Sequence, residues 1–191
     1  MGTGIYLYWI PLGSGGTGFV RMNGRLYEAT KARLERRAPL DLYHTALEVS
    51  VPEGRYIVET MWPRPDLKGS ARGVVREGPV FAPWLSFTRV FRYEVRCWSN
   101  GVLPDAKEAV GGPRSVAEDA ELARGVLALA SAVPTLAWGR KPPGCDDMWN
   151  SNSVVAWLLA RSGVPLGALD PPVGGRAPGW AAGIHVAGAL S

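Results

Sequence analysis

The sequence predicts an α+β fold, an antiparallel sheet packed against helices, in one domain of 191 residues. Three observations lead there. Strand signals crowd the first half and helical signals the second, without the regular β-α alternation of a parallel sheet. Apolar residues make up 47% and charged residues 20%, close to globular usage, so a packed core is expected. The length suits a single domain with a substantial core, and no internal repeat is visible.

"GIYLYWI" reads as the opening strand, and "FVRMNGRLYEA" continues the β-rich character after a glycine-rich connection, with Asn23-Gly24 as a tight-turn signal. A short charged helix is expected over about Thr30–Arg37, ended by Pro39. "LYHTALEVSV" and "RYIVETMW", joined by "PEG", read as a β-hairpin. In its first strand Tyr43, Thr45, Leu47 and Val49 alternate with His44, Ala46, Glu48 and Ser50. "PRPDLKGSARGVVREGPV" is polar and predicts an irregular loop. "RVFRYEVRCW" is the cleanest alternation, with Phe91, Tyr93, Val95 and Cys97 facing one way and Arg92, Glu94 and Arg96 the other.

Beyond it, "SVAEDAELARGVLALASAV" predicts a helix capped by Ser115, with Glu118 completing a capping box. "LAWGRKPPGCDD" reads as a loop, and "NSVVAWLLARSG" as a helix stopped by Gly163 and Pro165. The core spans about residues 42–161. From Val164 to Ser191 the chain is rich in Gly and Pro, with a weak strand signal near "GIHVAG".

Several function classes recede on composition. Net charge is +4, and the cations are scattered except in "KARLERR", which reads as a solvated helix face. Nucleic-acid binders show a denser basic stripe with exposed aromatics, so nucleic acid is not the expected partner. The apolar N-terminus lacks a basic n-region and a cleavage site, and its run is too short to span a bilayer. Pro134 interrupts the other apolar stretch. A soluble, cytoplasmic chain with no membrane span is expected. Cys97 and Cys145 are the only cysteines, with no metal-ligand spacing, so neither a metal nor a cofactor is expected. "GSGGTG", Gly13 to Gly18, matches the dinucleotide fingerprint in letters, but a strand signal rather than a helix follows it, and a hairpin loop that can lie over a site as a flap is the better reading. Eight Trp residues point to buried clusters or an aromatic-lined groove.

The chemical inventory is short. His185 lies in the tail, and His44 begins a strand, where a lone histidine is ordinarily structural. Glu59 interrupts the apolar "RYIVETMW", a costly placement unless it is paired or faces a cleft. Folding the hairpin about "PEG" makes His44 and Glu59 candidate cross-strand neighbours. Of three candidate nucleophiles, Cys97 sits on the apolar face of its strand, and Cys145 is followed by Asp146 and Asp147, which disfavour a thiolate. Ser151 stands at a helix start, where unpaired N–H groups and the helix dipole favour negative charge, and it would need His44 as general base. Asn150 and Asn152 either donate to an oxyanion site or cap the helix, and Trp149, Trp62 and Tyr43 either line a groove or join the core.

A strand opening "YHTALEV", a polar residue on the next strand, and much later "WNSNSVVAWLL" at a helix start resemble the circularly permuted papain-like hydrolases. That group includes NlpC-type peptidases, lecithin–retinol acyltransferase relatives and PPPDE proteases. The resemblance covers roughly residues 42–161. It implies a permuted papain-like fold and an amide- or ester-directed hydrolase or acyltransferase acting on a small-molecule or peptide-like substrate. Within it Ser151 stands where the family has Cys, His44 is the base and Glu59 the imidazole-orienting residue. A thiolate–imidazolium pair is preformed, whereas Ser–His must move its proton during attack. The exchange therefore marks either a serine-dependent enzyme or an inactive member serving as a ligand- or protein-binding module.

Overall fold

A computed structural model of the chain describes residues 2–14, 26, 28–63 and 73–189. Its strands are β1 (Gly4–Pro11), β2 (Asp41–Val51), β3 (Gly54–Met61), β4 (Val74–Pro79), β5 (Arg92–Ser99), β6 (Arg114–Ala117) and the short β7 (Gly175–Arg176). Helix α1 covers residues 28–34; α2 (Ala120–Leu129), α3 (Ser151–Arg161) and α4 (Trp180–Ala189) follow. The fold is α+β. Its sheet runs β4-β5-β3-β2-β1-β6 with antiparallel neighbours, and β7 adds to the start of β2 in parallel.

Residues 5–10 of β1 are buried without interruption because the strand lies between β2 and β6 and is apolar on both faces. The "PEG" hairpin forms as its turn residues dictate, with Val51 opposite Gly54 and Leu47 opposite Val58. Strand alternation then sorts side chains between two cores. Tyr43, Leu47, Val49, Val58, Tyr93 and Val95 face the helices and meet Val154, Val155, Trp157, Leu158 and Leu159 of α3. Tyr8, Ile10, Ala46 and Ile57 point the other way and form a smaller core with Leu103. The chain after β5 crosses this second face. Asn100 N–H donates to Arg55 O, and Val110 N–H reaches Trp9 O at 2.9 Å.

Several elements differ from the sequence expectation. Residues 74–79 are a strand rather than a loop, because β5 supplies pairing partners and an edge strand tolerates exposed Arg76 and Glu77. Ser115 does not cap a helix. Its segment pairs with β1 as β6, and α2 is capped by Asp119, whose Oδ1 accepts from Glu121 N–H and Leu122 N–H at 2.7 and 3.0 Å. The weak strand signal near "GIHVAG" is overturned by α4. Ala182, Gly183, Val186 and Ala187 are buried there, and a Cβ on Gly183 would run into Ser153 O and come within 2.8 Å of Ala156 Cβ. Small residues let α4 lie against the backbone of α3, so helix packing outweighs local propensity. Helix α1 ends before Arg37, as Arg36 turns to φ 53°. Residues 26, 28 and 29, read as part of a strand run, are helical. The rest of that run, Asn23-Gly24, and Gly15 to Gly18 of the glycine-rich loop lie outside the described residues. Among the described residues, no helix is long and apolar enough to cross a membrane.

Candidate functional site

Four polar residues open α3, and three of them have structural work. Asn150 is the N-cap, its Oδ1 accepting from Asn152 N–H at 2.9 Å while its Nδ2 donates to Pro178 O at 2.8 Å. Ser153 Oγ accepts from Asn150 N–H at 2.9 Å, closing a capping box, and donates to Gly179 O at 2.7 Å. Asn152 is buried and fully engaged. Its Oδ1 accepts from Thr45 Oγ1 at 3.0 Å, and its Nδ2 donates to Tyr43 O at 2.9 Å and Pro178 O at 2.8 Å. Asp147 adds to the same seam by accepting from Gly179 N–H. The helix start thus fastens three separate pieces of chain: β2, residues 178–179, and α3 itself. Ser151 is buried at the first helical position, and its hydroxyl has no hydrogen-bond partner among the described residues.

These bonds correct the oxyanion expectation. The side-chain N–H groups of Asn150 and Asn152 are spent on backbone carbonyls and do not point at a reacting atom. Trp149 and Tyr43 are core residues rather than groove walls. Trp149 is fully buried with Nε1 donating to Tyr93 Oη at 3.1 Å, and Tyr43 is buried against Gly175. Tyr93 in turn donates to Leu136 O, and burial pushes its hydroxyl up to about 12. Trp62 is 44% exposed and packs against Trp138, their ring centroids 5.8 Å apart and their planes tilted by 40°.

The expected Ser151–His44–Glu59 arrangement is not assembled. Thr45, on the helical face, reaches Asn152 at the start of α3, and its neighbour His44 therefore projects to the opposite face. His44 pairs with Ile10, a member of the second core, which places it on that face directly. The backbone of β2 stands between the imidazole and Ser151. There His44 Nε2 lies 3.2 Å from Asp105 Oδ2, in the segment that crosses the sheet. Nothing in the sequence around Asp105 marks it as a partner, since the crossing after β5 is visible only in three dimensions.

Glu59 shares the face of His44, because Ile57, two residues earlier, belongs to the second core. Its strand partner is Arg96. Arg96 is fully buried and donates through Nε and Nη2 to Glu94 Oε2 at 3.0 and 2.7 Å. Nearby, Tyr8 Oη donates to Glu48 Oε2 at 3.0 Å, and Arg55 Nη1 donates to the same oxygen at 3.2 Å. Burial and then the charge of Glu48 push the Tyr8 hydroxyl up to about 12. Beside its small apolar core, the second face therefore carries a layer of charged and phenolic side chains. Burial also pushes the Cys97 thiol up to about 11, which removes it as a nucleophile near neutral pH. Among the described residues, no group of three or more His, Cys, Asp and Glu side chains is placed to hold a metal.

Compared with protein-family models, with curated proteins and with solved structures, the chain matches none.

Proposed function

We propose that this chain is a non-catalytic binding module, one that keeps a permuted papain-like arrangement of strand and helix without its chemistry. The observation that carries this reading is the position of His44, hydrogen-bonded to Asp105 on the side of the sheet opposite to Ser151. A serine hydroxyl is a poor nucleophile without a base in reach. What supports the family relation is that the start of α3 is tied to the His strand through Asn152, Thr45 and Tyr43. A seam of this kind with the base separated from the hydroxyl fits a scaffold.

One observation favours the hydrolase reading: Ser151 alone of its cluster keeps an uncommitted hydroxyl at a helix N-terminus. A fluorophosphonate serine probe decides between the two. The binding-module reading expects no labelling that depends on Ser151. Labelling of the wild-type protein that disappears in Ser151→Ala, and also in His44→Ala, overturns it in favour of an active Ser–His enzyme.

A further inference from the structure

Residues Pro83–Phe87 and Arg89–Phe91 form two consecutive 3-10 turns between β4 and β5. Such turns repeat every three residues, so positions three apart share a side. Trp84 and Phe87 have that spacing within the first turn, and Phe81, Trp84, Phe87 and Val90 are 57%, 73%, 75% and 77% exposed. Leu85, Thr88 and Phe91 between them are partly buried, and Phe91 packs on the main core. The segment thus has an inner side anchored to the fold and an outer side of large apolar groups. Phe81 stands at φ 62°, which strains a bulky residue, and its backbone is held there by two hydrogen bonds. Phe81 N–H donates to Trp138 O at 3.0 Å, and Arg140 Nε donates to Phe81 O at 2.8 Å. Apolar side chains displayed together on a fixed support mark a docking surface.

We infer that Phe81, Trp84, Phe87 and Val90 insert into the interfacial layer of an anionic lipid surface, an assignment that rests on the binding-module reading. Charge complementarity selects this occupant. Residues 80–92 and 137–145 carry Arg89, Arg92, Arg140 and Lys141 and no carboxylate. Of the flanking acids, Glu77 and Asp146 are paired with Arg92 and Lys141, and Asp147 accepts from Met148 N–H and Gly179 N–H. Arg89 and Arg140 have no carboxylate within ion-pair distance among the described residues, so both charges remain to meet lipid headgroups. Aromatic side chains beside cations suit the headgroup boundary, where the rings enter the acyl edge and the guanidinium groups stay with phosphate. Two cations with no carboxylate partner among the described residues are few for tracking a nucleic-acid backbone, which would call for a longer basic run.

The test sediments the full chain with vesicles of phosphatidylcholine alone and of equimolar phosphatidylcholine and phosphatidylserine. Binding to the mixed vesicles is expected, weakened about tenfold or more by Trp84→Ser combined with Phe87→Ser. Arg89→Glu and added salt should weaken it further, while His44→Ala leaves it unchanged. Absence of binding to the mixed vesicles overturns the lipid assignment and leaves the binding-module reading standing, since only Ser151-dependent probe labelling overturns that. Vesicle binding that survives the double substitution also overturns it. So does displacement of the vesicles by a single-stranded oligonucleotide, or a wild-type dimer that the double variant dissolves in the absence of lipid.

Discussion

At the residue scale, Asn152 and Ser151 are neighbours of the same polar character with opposite consequences. Asn152 satisfies Thr45, Tyr43 O and Pro178 O from a buried position, so Asn152→Ala leaves buried polar groups of β2 without their partner. The expected cost is about 2–3 kcal/mol, from the desolvation of groups left unpaired. Ser151→Ala removes a hydroxyl that bonds nothing among the described residues and should change stability by less than about 0.5 kcal/mol. Urea unfolding of the two variants checks the contrast. Equal destabilisation would mean that Ser151 is held by something other than the cap. The cap itself was legible in the sequence, since Asn and Ser before an apolar run announce a helix start. Which of the four residues caps, and which reaches back to β2, depends on where residues 178–179 fold, and no local pattern encodes that.

At the scale of elements, α3 and α4 show why the tail was the least legible part. A Gly- and Ala-rich stretch has little local preference, and α4 exists because its small side chains allow close approach to α3. Gly183→Val places a Cβ bearing two methyl groups where Ser153 O and Ala156 already stand, and should cost about 1–3 kcal/mol, read as a lowered Tm. A variant of unchanged Tm would show that the helices are not in such contact. Helix α1 is anchored differently. Glu28 accepts from Arg37 Nη1 and from Leu40 N–H, the latter at 2.9 Å, fastening the helix to the chain that enters β2. Burial alone would raise its carboxyl, but these hydrogen bonds outweigh burial and hold it below 4.5. A depressed folded value means the stabilisation is present above the unfolded value and is lost as pH falls through the folded one. Glu28→Gln should therefore lower the urea midpoint at neutral pH, and its deficit against the wild-type protein should shrink as pH falls through the folded value of Glu28. The hairpin and the alternation of β5 were readable because period-two patterning needs no partner to be seen. β4 and β6 were not, because each is an edge strand made by the neighbour it pairs with.

At the scale of the whole molecule, the sheet is a partition, and that separates the candidate residues more than any single motif joins them. The sequence order of His44, Glu59 and Ser151 fits a triad, yet one strand's parity assigns the histidine and the serine to opposite sides. The alternation of β2 was visible in the residues; which of its faces α3 would cover was not. The face away from α3 is consequently free to hold charge, and it buries an ion pair, Glu94 with Arg96, at 0% exposure for both side chains. If this pair is part of the fold's specification, its removal from one side must be far more damaging than loss of a surface pair. Arg96→Met leaves a carboxylate buried beside Glu59 and should cost about 3–5 kcal/mol in urea unfolding. Arg124, paired with Glu53 and Glu121 at the surface, makes comparable bonds in water, and Arg124→Met should fall within measurement error. The two substitutions remove the same charge with the same side chain. Any result in which their effects are alike would mean that the second face of the sheet is wet, and that the layer of Tyr8, Glu48, Glu94 and Arg96 is an open surface rather than a covered one.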